Sequence, residues 1–287
     1  MTAAPTLARL LGSWSFDPVV VASLLAAAGL YGLGAVRAGA RWPAWRAASF
    51  LAGLATIALA LLSGIDGYAE ELLSVHMVQH LLLSLLAPVL LLWGRPVGLA
   101  LRAAGPRVRG ALGGALSSGP ARTIAQPAVG LALFAATVLV THLTGLFELA
   151  LTDPSVHALE HAAMFWTGLA FLAPLVSADP LPHPPAPLAR FAWLMGGMTA
   201  MAVPGALLAF ARTVRYPHYL LTSHALDRSA LADQQLGGAI MWVGGTLAMF
   251  ALALLVTFGA MLAEERRAER RERYADATAE PAPAARG

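Results

Sequence analysis

Seven stretches of this chain run for about 20 residues with almost no charge, at residues 18–36, 47–64, 73–93, 126–147, 156–175, 190–211 and 235–262. A hydrocarbon core of roughly 30 Å is crossed by about 20 residues of helix, and in lipid every backbone N–H and C=O must be satisfied internally. Runs of this length therefore predict membrane-spanning helices. The expected fold is all-α, a polytopic bundle of seven transmembrane helices in the lipid bilayer. The chain is accordingly 58% hydrophobic and only 12% charged over its 287 residues.

Charge between the runs predicts orientation. Fifteen of the nineteen arginines fall on one side: Arg37, Arg41 and Arg46 after the first run, five from Arg95 to Arg122 after the third, Arg190 at the sixth, and six beyond the seventh. Only Arg9, Arg212, Arg215 and Arg228 fall on the other. The positive-inside rule then places the N-terminus outside and the C-terminus in the cytoplasm. Residues 1–17 lack the basic start and apolar core of a signal peptide, so the first run is expected to stay in the mature protein. The expected division is an extracytoplasmic segment 1–17, a membrane domain 18–262 and a charged cytoplasmic tail 263–287. The tail reads as a solvated helix with no nucleic-acid role. Tyr216 and Tyr219, in the longer outer connection 212–234, suit an interfacial belt, and that connection is expected to cap the bundle.

Two absences exclude whole chemistries. With no cysteine there are no disulfides, iron–sulfur clusters or thiolate metal sites, and with no lysine there is no Schiff base for retinal or pyridoxal phosphate. Any metal must be held by nitrogen, oxygen or thioether.

Histidine supplies the nitrogen. Five of the eight histidines lie in apolar runs: His76 and His80 in HMVQH, His142, and His157 and His161 in HALEH. Intramembrane ionisable groups are rare and mark functional sites. Residues four apart share a helix face, so each pair can offer two imidazoles to one ion. With alternating helix directions, all five are expected at one depth, in the outer third of the bilayer. Glu160 and Met164 share the stripe of His157 and His161; Gln79 shares that of His76 and His80, with Met77 adjacent. Imidazole suits copper, zinc and iron, and thioether adds a preference for copper(I). Glu160 can instead orient a histidine from outside the ligand set. Asp233 and Gln234, at the outer start of the last span, are candidate auxiliary partners. His218 and His224 lie in the outer connection as candidates for capturing an incoming ion, whereas His183 falls on the opposite side.

Three segments, HMVQHLLLSLLAPVLLLWGRP, HALEHAAMFW and DQQLGGAIMW, together resemble the CtaG family, membrane assembly factors of caa3-type cytochrome c oxidase, over about residues 60–260. The resemblance implies a non-enzymatic role in maturing a haem–copper oxidase in the bacterial plasma membrane. It implies delivery of copper to the oxidase catalytic subunit, supplied by an extracytoplasmic copper donor protein. His76 and His80 carry over from the first segment, His157, Glu160 and His161 from the second, Asp233 and Gln234 from the third. Two other readings use intramembrane histidines. One is a seven-span zinc hydrolase similar to the ceramidases, whose His-x-x-x-His lies instead on the last helix at the cytoplasmic side. The other is a haem-binding electron carrier with His80 and His161 as axial ligands.

Overall fold

A computed structural model of the protein describes residues 5–177, 179, 185–223 and 229–279, with side chains through residue 275. His183, His224 and Arg228 lie outside the described residues. Every regular element among the described residues is helical.

A short α1 (Leu7–Gly12) precedes the first long helix, α2 (Pro18–Ala38). Asp17 caps α2 by accepting from Val19 N and Val20 N, with Pro18 at the first position, where its missing N–H costs nothing. The chain returns in α3 (Ala44–Leu62), turns through α4 (Gly64–Ala69) and descends in α5 (Leu73–Leu81) and α6 (Ala87–Trp93). These last two are one rod joined by a π-helical turn over 82–86. Pro88 has no N–H to give the Ser84 carbonyl four residues earlier, and the wider turn carries the rod past it.

Three short helices, α7 (Pro96–Ala103), α8 (Pro106–Leu116) and α9 (Gly119–Ile124), bridge to α10 (Pro127–Leu143). The chain then bends by 73° into α11 (Leu146–Thr152) and enters α12 (Pro154–Val176), capped by Asp153. Next come α13 (Pro187–Ala209), α14 (His218–Thr222) and a final rod of α15 (Ala230–Ala239), a π-helical turn over 240–244, and α16 (Gly245–Ala279).

Six of these helices are long and apolar enough to cross a membrane, and α10 with α11 makes a seventh if the bent pair is one span. The protein is therefore a multi-pass membrane protein. Two expected boundaries move. The fourth run extends to 147 by composition, but the helix ends at Leu143. The last helix begins at Ala230, capped by Ser229, so Asp233 and Gln234 lie within its first turns, buried.

Close helix approach relies on glycine. A Cβ on Gly168 of α12 would collide with the Ser84 carbonyl oxygen, so only glycine lets α12 press onto the π-helical turn. Gly205 of α13 and Gly238 of α15 meet in the same way, backbone to backbone. The core between them is filled by Phe134, Val138, Phe171, Leu172, Leu194 and Met201.

Candidate metal centre

Because α12 sits so close to the α5–α6 rod, the histidines of both helices face one another. His76, His157, Glu160 and His161 each offer a ligand atom, and all four atoms lie within 4.8 Å of one another. His80 joins them: its Nε2 is 2.9 Å from His76 Nε2 and 3.4 Å from Glu160 Oε1. His142, at the end of α10, stands beyond His80 with ring centroids 5.4 Å apart. All five histidines gather at one end of the bundle, and all but the half-buried His157 are buried.

The hydrogen bonds decide which ring nitrogens are free. His142 Nδ1 is 2.8 Å from the Val138 carbonyl oxygen, which can only accept, so Nδ1 carries the proton and Nε2 carries the lone pair. His76 Nδ1 similarly faces the Ala69 carbonyl oxygen at 3.3 Å, which aims its Nε2 lone pair into the cluster. A backbone carbonyl behind one nitrogen is the usual device for presenting the other to a metal. His142 Nε2, His157 Nε2, His161 Nε2 and both oxygens of Glu160 are buried without a hydrogen-bond partner among the described residues. Two ligands on opposite sides of a first-row ion, about 2.1 Å from it, are about 4.2 Å apart. The cluster is thus within a side-chain adjustment of closing on a cation.

A roof covers this cluster. Phe147 of α11 is fully buried, its ring centroid 4.8 Å from that of His76 and 5.5 Å from that of His142. Tyr216 donates to the His142 carbonyl, and Tyr219 donates to the Ala69 carbonyl with its oxygen 3.2 Å from His76 Nδ1. Burial pushes both tyrosine hydroxyls above the ordinary phenol range, so they remain donors. The two tyrosines expected at a membrane interface are instead buried parts of the site. His218, expected as an ion-capturing group, bonds through Nε2 to the Glu70 carbonyl and tethers the roof.

The third motif acts through backbone. Asp233 accepts from Ser74 N at 3.1 Å and from the Ser74 hydroxyl, capping α5, whose own N-cap Leu72 has no side-chain acceptor. The cap lies two residues before His76. Gln234 accepts from Arg215 N and donates to the Thr213 carbonyl, while Gln235 donates to the Ala211 carbonyl; together they hold the segment leading into the roof. Gln79 points away from the histidines, donating to the Ala60 carbonyl and to Asp66 Oδ1. Met77 and Met164 pack in the main apolar core. Met164 shares the stripe of His161 but lies about 4.5 Å further along the axis.

His157 and His161 also line an elongated cavity of about 1140 Å³ between α2, α3 and α12. Asp17, Asp66 and Glu70 stand at its histidine end, and Pro96 and Asp179 at the other.

Residues 29–262 match the family model of the cytochrome c oxidase caa3 assembly factor, CtaG. The chain belongs to this family. Uncharacterised proteins of Mycobacterium bovis and Mycobacterium tuberculosis are each 30% identical to it over 287 residues, covering 95% of this chain. One of Mycobacterium leprae is 29% identical over 285 residues, covering 96%. The chain spans 43% of the length of each of these relatives. No solved structure matches it.

Proposed function

We propose that this CtaG protein binds copper at the histidine cluster and hands it to the catalytic subunit of a cytochrome c oxidase. The observation that carries the reading is the set of buried polar atoms without a hydrogen-bond partner among the described residues, His142 Nε2, His157 Nε2, His161 Nε2 and both oxygens of Glu160, with the Val138 carbonyl behind His142 Nδ1 turning its Nε2 lone pair inward. An unpaired buried polar group costs free energy, and a cation bound among them removes that cost. Nitrogen and carboxylate donors suit a first-row transition ion, and membership of an oxidase assembly family favours copper among these.

In this reading His76, His157 and His161 with Glu160 hold the ion, and His80 and His142 extend the ligand set. Asp233, Gln234, Tyr216 and Tyr219 position it. The arginine distribution orients the histidine end outward, in a bacterial plasma membrane, where an extracytoplasmic donor protein can reach it. The long cavity beside His157 and His161 offers a lateral route along which a subunit of the oxidase can approach.

The test is metal analysis of the purified full chain after loading with copper or zinc, beside His76→Ala and His161→Ala. Copper retained by the native chain and reduced at least tenfold in both variants is expected. Equal, negligible copper in all three sinks the proposal. Retention of zinc with lipid amidase activity would favour the hydrolase reading, and a Soret band the haem carrier.

A further inference from the structure

The opposite end of the bundle holds a second polar site, built from four arginines. A pocket of about 450 Å³ is lined by Trp42, Arg46, Arg95, Leu101, Arg102 and Arg109. These come from four places in the chain: the turn into α3, the break between α6 and α7, α7 itself, and α8. The nearby carboxylate, Asp179, lies 3.6 Å from Arg95 Nε. Its two oxygens already accept from Val97 N and Gly98 N at the start of α7. One carboxylate against four guanidinium groups leaves the pocket strongly positive, because arginine stays protonated at any physiological pH.

The pocket is held in shape without an anion. Trp42 Nε1 donates to the Tyr31 hydroxyl at 3.1 Å, and that hydroxyl donates to the Gly94 carbonyl at 2.7 Å, which fixes the indole. The guanidinium of Arg46 lies over that indole, 5.0 Å from its centroid, yet its Nε is buried without a hydrogen-bond partner among the described residues. Arg109 is pinned by the carbonyls of Leu101 and Ala104. Arg95 has a left-handed backbone with φ 51°, a conformation that a residue with a Cβ seldom adopts and that tends to persist at functional sites. An indole and a leucine side chain beside the four cations give the lining an apolar part.

We propose that this pocket binds a phosphate-bearing anion at the membrane surface. The phosphodiester of an anionic phospholipid and a free phosphate share this chemistry. The forked donors of arginine match phosphate oxygens, and Trp42 and Leu101 suit the glycerol and first methylenes of a lipid.

The test reconstitutes the full chain in nanodiscs of phosphatidylcholine with a minor share of phosphatidylglycerol, and counts the lipids that stay on the protein by native mass spectrometry. Phosphatidylglycerol is expected above its bulk share, falling about fivefold for each charge removed in Arg102→Gln and in the Arg46→Gln/Arg102→Gln double variant. Arg122→Gln, an exposed arginine outside the pocket on α9, serves as control and is expected to leave retention unchanged, and circular dichroism confirms the fold of each variant. Displacement of the lipid by millimolar inorganic phosphate identifies free phosphate as the source; persistence identifies the headgroup. Retention equal to that of phosphatidylcholine with no bound phosphate, or an equal loss in Arg122→Gln, overturns the proposal.

Discussion

At the histidine end of the bundle the buried groups without hydrogen-bond partners among the described residues are imidazole nitrogens and a carboxylate; at the arginine end they are guanidinium N–H donors. His142 Nε2, His157 Nε2, His161 Nε2 and the Glu160 oxygens face one another there, while Arg46 Nε and its neighbours face a pocket with a single carboxylate already engaged. Both ends use the same scaffolding device. Asp233 caps α5 beside the histidines, and Asp179 caps α7 beside the arginines, each reaching across from another part of the chain. One fold therefore presents an electron-donating site and a proton-donating site at opposite ends of one set of rods, and the ligand classes differ only through the side chains carried there.

Glycine substitutions offer the strongest way to break this comparison. Gly168→Ala drives a methyl group into the Ser84 carbonyl and pushes α12 off the π-helical turn, separating His157, Glu160 and His161 from His76. A loss of about 3 kcal/mol or more in stability is expected, since neither colliding backbone can yield cheaply, together with loss of bound metal. Gly113→Ala in α8, at the arginine end, meets nothing within 4 Å and is expected to be neutral or to stabilise by about 0.5–1 kcal/mol. Thermal unfolding in detergent checks both. Equal effects would show that the Gly168 contact does not hold the site together.

The paired caps sharpen it next. Asp233→Ala removes two acceptors from Ser74 and is expected to cost about 1–2 kcal/mol, with copper occupancy falling as the first turn of α5 frays next to His76. Asp179→Ala removes the corresponding cap of α7 at a similar cost in stability, but copper occupancy should stay unchanged. Metal content per folded chain separates the two. If both variants lose metal equally, the two ends are coupled and the description of separate sites fails.

How much of this was legible in the chain depends on what each signal measures. Spacing of four puts two histidines on one face, and counting spans puts both pairs at one end; neither needs tertiary information, but only the structure shows that the five rings converge. Helix periodicity says less about which neighbour a face meets. Gln79 is only about 60° around the helix from His76, yet that rotation directs it to Ala60 and Asp66 instead of the histidines. Met164 shares a stripe with His161 but not a depth. The roof was hidden altogether. Phe147 reaches the cluster only because the chain bends by 73° after Leu143, and Tyr216 only because Gln234 grips the backbone at Arg215, nineteen residues earlier in sequence. Composition in the connection 212–234 carries no record of those long-range bonds. The arginine pocket shows the same limit: the sequence marks those residues as topology signals, and only the fold shows that four of them converge.

The smallest effect is electrostatic and is read at the histidine end by pH. Asp66, on the connection between α3 and α5, is pushed up to about 6, chiefly by burial, with Glu70 and Asp17 adding repulsion and the Gln79 amide partly offsetting both. A carboxyl whose folded value lies above its unfolded one favours the fold when protonated. Its contribution is fully present below about pH 4 and is lost as pH rises through about 6. At the arginine end burial also raises the Asp179 carboxyl, but there the backbone N–H groups of α7 and Arg95 oppose the shift. The native chain is therefore expected to lose about 2–4 °C in its unfolding midpoint between pH 4.5 and 7.5 through Asp66, and Asp66→Asn, which keeps an acceptor for Gln79, should flatten that part of the profile. Parallel profiles for the two proteins would mean that Asp66 sits in water when charged, and would remove the polar link that ties Gln79, and with it the helix of His80, to the α3–α4 turn as a source of pH dependence.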